Sequence, residues 1–161
     1  MTVETMRRVS EHLLQQIREM KPGEFLERVP LKDYHGFPKG RLPEEMLLPA
    51  LADFGLTPEQ VQAELVLVNG DHRSKVHRHR EAYAACTMLG EREHLPNPVG
   101  IEAYLNDRWF PANAGDEIDF PPDSWHGFSA NEEQKGFGYF LSVQSPPIER
   151  PGGHDDFELP E

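Results

Sequence analysis

The sequence predicts an all-β domain, a sandwich or barrel of short antiparallel strands, preceded by a helical extension. Three observations carry this reading. Fifteen prolines and thirteen glycines among 161 residues punctuate the chain into short pieces, as turns between strands require. From about residue 62 onward, seven or eight short strand candidates follow one another with no helical period between them. Before that point the apolar residues recur at helical spacing.

The elements follow in order. Met6, Val9, Leu13, Leu14, Ile17 and Met20 are spaced by threes and fours, which puts them on one face of a helix over 4–20 that Pro22-Gly23 ends. A second helix, 43–54, starts at Pro43, carries Glu44 and Glu45 where the helix dipole favours them, and stops at Gly55. Thr57 to Gln60 can start a further helical turn. The stretch AELVLVN, 63–69, is rich in aliphatic residues and ends at the turn signal Asn69-Gly70-Asp71. Further strands are expected at 75–80, 82–89, 99–105, 107–110, 116–120, 125–130 and 136–144, with turn residues between most of them. The final SPPIERPGGHDDFELPE has little to bury and several prolines, so it reads as a partly ordered tail able to drape over the barrel or a neighbouring subunit. The expected organisation is therefore a helical extension at 1–60, a β-barrel at 61–145 and a tail at 146–161.

Composition excludes several function classes. A net charge of −12 argues against nucleic acid and anionic membranes, because both are bound largely by clustered Lys and Arg. The single cysteine, Cys86, cannot form an internal disulfide, and a reducing cytoplasmic setting is the expectation. The N-terminal residues are too polar for the apolar core of a signal peptide, and no apolar run is long enough to span a bilayer. No glycine-rich phosphate loop, nucleophile elbow or CxxC pair is present.

The segment VHRHREAY, 76–83, carries the chemistry. On an unbroken strand His77, His79, Glu81 and Tyr83 would share one face. Two histidines so placed sit roughly 6 to 7 Å apart at Cα, within reach of one cation at about 2.1 Å from each nitrogen. An H-x-H pair alone is weak evidence among eight histidines.

The surrounding pattern is specific. Gly70-x6-His77-x-His79-x3-Tyr83-x6-Gly90 resembles the first motif of the cupin superfamily. Gly115-x5-Pro121, followed by Pro122-Asp123-Ser124-Trp125-His126 and Asn131, resembles the second. The resemblance covers residues 70–131. It implies a jelly-roll β-barrel around one divalent metal, with His77, His79 and His126 as facial ligands and open positions for water or substrate; Fe(II) is the expected ion, with Mn, Ni, Zn and Cu also suited to imidazole. The sequence departs from the pattern at Tyr83, where the family usually has a glutamate ligand. Either Glu81 swings onto the metal, or the centre has three histidines only and Tyr83 stands beside it as a hydrogen-bonding catalytic residue. The second arrangement is similar to that of cupin thiol and diketone dioxygenases, and it makes a mononuclear Fe(II) dioxygenase the first expectation. A non-redox isomerase or lyase using Tyr83 or Glu81 to move a proton is the alternative, and a small-ligand-binding sensory module a third.

The remaining residues have plainer readings. Ala85 and Thr87 continue the parity of Tyr83 and are expected to line the pocket, whereas Cys86 should face away from it. His12, His35, His72, His94 and His154 are expected at the surface, as are the acidic pairs Glu44-Glu45, Glu132-Glu133 and Asp155-Asp156. Trp125 should point away from His126 into packing or a subunit contact, and Trp109 should be packed. Parity leaves open whether Phe137, Tyr139, Leu141 and Val143 or Gly138, Phe140, Ser142 and Gln144 face the interior. Short strands with open edges make a homodimer the expected assembly.

Overall fold

The computed structural model describes residues 1–161, the side chain of Ser74 excepted. Its body is two antiparallel sheets. The larger runs β1 (Lys32–Tyr34), β2 (Phe37–Arg41), β3 (Gln62–Val68), β9 (Gly138–Ser145), β4 (Tyr83–Met88), β7 (Glu117–Phe120); the smaller runs β6 (Arg108–Pro111), β5 (Ile101–Leu105), β8 (His126–Ala130). The centre of the larger sheet pairs β9 with both β3 and β4, so strands far apart in sequence lie side by side, as in a jelly roll.

Period-two alternation divides each central strand between two cores. Ala63 and Leu65 of β3, Ala85 of β4, and Leu141 and Val143 of β9 pack on the helices α1 (Val3–Glu19), α2 (Glu24–Arg28) and α3 (Glu44–Ala52). Their neighbours Val66, Val68, Ala84, Cys86 and Phe140 face the smaller sheet, meeting Ile101, Ala103, Phe128 and Ala130. The helical layer is built as its apolar spacing requires: Met6, Val9, Leu13, Leu14 and Ile17 are buried along α1, whose N-terminus is capped by the Thr2 hydroxyl accepting from the Thr5 N–H at 3.1 Å. Leu13 is wholly buried, and Leu13→Ala would cost about 2–5 kcal/mol.

Two glycines of the sequence motifs have clear physical reasons. Gly115 turns the chain into β7 at φ +85°, where a side chain would be strained. At Gly90 a Cβ would sit 2.3 Å from Oδ1 of Asn97 and 2.9 Å from Ala114.

The structure differs from the sequence expectation in three places. Residues 75–80 are not a strand: after a short 3-10 turn at Arg73–Lys75, only isolated bridges from His77 to His126 and from Arg78 to Glu158 remain, and the chain bends at Arg80 and Glu81 before β4. The span 1–60 contains, besides its helices, the hairpin β1–β2, which extends the larger sheet through pairing of β2 with β3. The C-terminal segment is packed: Asp156 is buried, and Arg78 and Glu158 exchange backbone hydrogen bonds at 3.0 Å. Among the described residues no helix is long and apolar enough to cross a membrane.

Candidate metal centre

His77 and His79 lie on the irregular segment before β4, and His126 opens β8. Reciprocal backbone hydrogen bonds between His77 and His126, 2.9 and 2.8 Å, lock the two segments in register. The three ring centroids are therefore only 4.6 to 5.0 Å apart, and one ligand nitrogen from each ring lies within 4.8 Å of the others.

The second nitrogen of each ring settles its direction. Nδ1 of His77 is 3.2 Å from the Lys75 carbonyl, Nδ1 of His79 is 2.5 Å from the Asp156 carbonyl, and Nδ1 of His126 is 2.9 Å from the Ser124 carbonyl. A carbonyl can only accept, so each Nδ1 carries the proton and each Nε2 lone pair is left free. Burial keeps the rings neutral. It pushes His77 down to about 3, with the neighbouring His79 adding to the effect, and holds His126 well below the usual histidine range, reinforced by His77 and His79. His79 is lowered by burial too, against opposing contributions from Asp156 and Glu64. Stacked phenylalanines hold the rings in place: Phe120 on His126 at 4.3 Å and Phe157 on His77 at 4.7 Å. Three neutral, oriented imidazoles with no carboxylate in the cluster fit a first-row divalent ion.

The histidines line a small cavity of about 60 Å³ whose walls are largely apolar: Val66, Val68, Phe128, Phe140 and Ile148. A second polar group lines the same cavity. The buried Glu64 carboxylate accepts Lys39 Nζ at 2.7 Å and Gln62 Nε2 at 3.1 Å on one oxygen, and Gln144 Nε2 at 2.7 Å on the other. Lys39 Nζ also sits 3.4 Å from Glu149 and 3.9 Å from the centre of the Tyr34 ring. Because Nε2 of Gln144 donates to both Glu64 and Ser142, its amide orientation is fixed. Oε1 is left buried with no partner among the described residues.

No family model matches the sequence, and no curated protein sequence matches it. Solved structures do. Pac13 of Streptomyces, described as a nucleoside dehydratase, superposes with a TM-score of 0.56 at 15% identity over 88% of this chain and 92% of that one. A cupin-2 domain protein of Rhodospirillum rubrum gives 0.52 at 18% identity over 83% and 74%, and KdgF of a Halomonas species 0.52 at 14% over 77% and 92%. The chain has the cupin fold. At such identities the likeness speaks to fold alone.

Within this cupin fold the structure brings His77, His79 and His126 together, and it brings neither Glu81 nor Tyr83 to them. The sequence expectation assumed unbroken alternation through residue 83. Instead the bend at Arg80 and Glu81 shifts the parity by one. Glu81 is exposed and reaches Arg150 at 3.1 Å; the Tyr83 hydroxyl donates to Asp119 at 2.8 Å, and its ring packs against the helical core. The same shift reverses the neighbours. Ala84 and Cys86 line the cavity, whereas Ala85 and Thr87 face the helices, Thr87 lying 3.4 Å from Arg7. Cys86 is buried beside Ser142, and burial pushes its thiol up to about 12, so it is a protonated wall residue.

Other expectations resolve similarly. Of the alternatives on β9, Phe140, Ser142 and Gln144 face the cavity. Trp125 points away from the histidines and carries the Arg78 guanidinium 4.5 Å over its ring; Trp109 packs on Tyr104 and Arg73. His72, expected at the surface, is buried against Phe37 with Nε2 unpartnered among the described residues, whereas His35, His94 and His154 are exposed. Asp156 is buried rather than solvated. Sequence reasoning missed Lys39, Glu64, Asp156 and Phe157, and held Gln144 only as one of two alternatives on β9. Only Glu64 left a signal: a charged residue sharing parity with Val66 and Val68 in an apolar strand.

Proposed function

We propose that the protein is a small-molecule metalloenzyme in which Nε2 of His77, His79 and His126 holds one divalent ion, and that it catalyses a non-redox proton transfer, a lyase or isomerase step, on a small hydroxylated substrate. The observation that carries the reading is the tethering of all three Nδ1 atoms to backbone carbonyls, which leaves three convergent, neutral donors facing one cavity. A metal held there supplies Lewis acidity to a carbonyl or hydroxyl oxygen.

The chain's own residues do the rest. The unpartnered Oε1 of Gln144 calls for a substrate N–H or O–H, since a buried acceptor left unpaired costs about 1–3 kcal/mol. Lys39 and Glu64, 2.7 Å apart on the cavity wall, are the pair that holds and moves a proton: Lys39 presents it at Nζ, and Glu64 holds Lys39 in place. The apolar walls exclude water around them. That Pac13, on this fold, is described as a nucleoside dehydratase fits a class of chemistry in which a proton is moved and water is lost.

A second reading, the mononuclear Fe(II) dioxygenase, is favoured by a specific observation: a three-histidine donor set without carboxylate leaves open positions for a chelating substrate and dioxygen. It loses the support of Tyr83, which lies outside the cavity. Metal analysis of tag-free protein and of His126→Ala, with turnover assayed aerobically and anaerobically on hydroxylated, diketone and thiol substrates, separates the readings. The expected result is metal in the wild type, none in the variant, and oxygen-independent turnover. Dioxygen consumed in proportion to product would transfer the assignment to the dioxygenase, and wild-type protein that takes up no metal would overturn both.

A further inference from the structure

The C-terminal residues 155–158 are built into the histidine cluster. The Asp156 carboxylate accepts three consecutive backbone N–H groups, those of Arg80 at 2.7 Å, Glu81 at 3.0 Å and Ala82 at 2.9 Å. These belong to the bend that ends the histidine segment and resets the parity of β4. Three converging N–H groups make an anion-binding nest, and here its occupant is covalently part of the chain. The backbone carbonyl of the same residue takes the Nδ1 proton of His79 at 2.5 Å. His79 thus differs from His77 and His126, whose acceptors are the carbonyls two residues before them: its acceptor comes from 77 residues away. Flanking contacts clamp the segment. Asp156 N–H donates to the Ile148 carbonyl at 2.8 Å, Glu158 pairs with Arg78 at 2.9 Å and Arg80 at 2.6 Å, and Phe157 stacks on both His77 and His35.

We propose that Asp156 is the positioning residue of the centre: its carboxylate fixes the 80–82 bend while its carbonyl fixes the tautomer and direction of His79, so the C-terminal segment and the third metal-facing nitrogen are ordered together. The proposal rests on the metal reading for its functional consequence, and on the hydrogen bonds alone for its structural one. Outer partners of ligating histidines are worth about 10–100-fold in metal affinity. Asp156→Ala keeps the carbonyl but removes the three carboxylate bonds that place it, and a loss of about tenfold, the low end of that range, is expected. Asp156→Asn, which keeps one acceptor oxygen, should recover part of it. Asp155→Asn, which alters only the contacts to Tyr34 and to the Arg150 N–H, should lose none.

The test is a Co(II) titration of full-length wild type and the three variants, read by chelator competition and by the visible spectrum of the bound ion, with NMR of the imidazole N–H protons on the metal-free proteins. The expected result is weakened Co(II) binding and an altered spectrum in Asp156→Ala, together with selective loss of the slowly exchanging His79 Nδ1–H signal. A folded Asp156→Ala with wild-type affinity and an intact His79 signal would overturn the proposal. If Asp156→Ala does not fold, Asp156→Asn decides by the same two readouts. Should wild-type protein bind no Co(II), the metal reading fails, and the His79 signal decides the positioning role by itself.

Discussion

The two polar groups of the cavity are held by opposite means. The histidine triad is anchored by the main chain: each ring gives its Nδ1 proton to a backbone carbonyl, and neighbouring phenylalanines fill the remaining space. The Lys39–Glu64 group is anchored by side chains alone, with Gln62, Gln144 and Glu149 each contributing one contact. Main-chain anchors survive the replacement of any one ring, so the triad should fail one ligand at a time. A buried network of side chains leaves an uncompensated charge as soon as one member goes. The first group is suited to hold an ion in fixed geometry, and the second to redistribute a proton.

The largest expected effect lies in the triad. His126→Ala should take metal content from stoichiometric to background while leaving the metal-free fold intact, because the His77–His126 pairing uses backbone atoms. Inductively coupled plasma analysis and thermal melting measure both halves, and loss of the fold along with the metal would remove the distinction between the two groups. Next comes the network. Lys39→Met strands the Glu64 carboxylate in a buried site and should cost about 3–5 kcal/mol in urea denaturation, whereas Lys39→Met with Glu64→Leu should recover most of it. Equal losses in the single and double variants would show that the pair is not the buried ionic unit described.

Acid separates the groups further. His77 is held down at about 3 by burial, below its ordinary value near 6.5. The unfolded chain therefore takes up a proton that the folded one refuses as pH falls below about 6.5, and folding stability drops until the folded ring itself titrates near 3. The histidine's contribution is present at neutral pH and lost towards acid, about 2 kcal/mol between pH 6.5 and 5. Denaturant midpoints of metal-free protein across that window should fall, and His77→Gln should flatten the fall. An unchanged slope in the variant would place the titrating groups elsewhere.

What the sequence made legible follows the range of the interactions. The helix of α1 and the strands from β3 to β9 were readable because their apolar periods are local, and His77, His79 and His126 because their spacing within two short motifs is local too. The bend at 80–82 was not readable, since its cause is the Asp156 carboxylate, some 75 residues downstream. Lys39 was invisible for the same reason, and parity on β9 left Gln144 undecided: each becomes a site residue only when β2 and β9 flank β3. The HDDFE segment reads as solvated because its acidic residues have no partner in sequence; Asp156 is buried and Glu158 is held in place because backbone N–H groups and two arginines supply partners in space.

The smallest effect addresses the residue on which the sequence reading and the structure part. Tyr83 sits on the helical side of β4 and gives its hydroxyl to Asp119, a carboxylate that Arg7 also pairs with. Removing the hydroxyl deletes one half-exposed hydrogen bond and leaves Asp119 its guanidinium, so Tyr83→Phe should cost about 1 kcal/mol of stability. Metal affinity and turnover should stay at wild-type levels, because the parity shift has carried the phenol to the far face of the sheet from the histidines. Steady-state kinetics of the metal-loaded variant reads this directly. A tenfold loss of turnover at unchanged metal content would mean that residues 80–83 run as an unbroken strand in solution, with Tyr83 inside the cavity and Asp156 displaced from the bend.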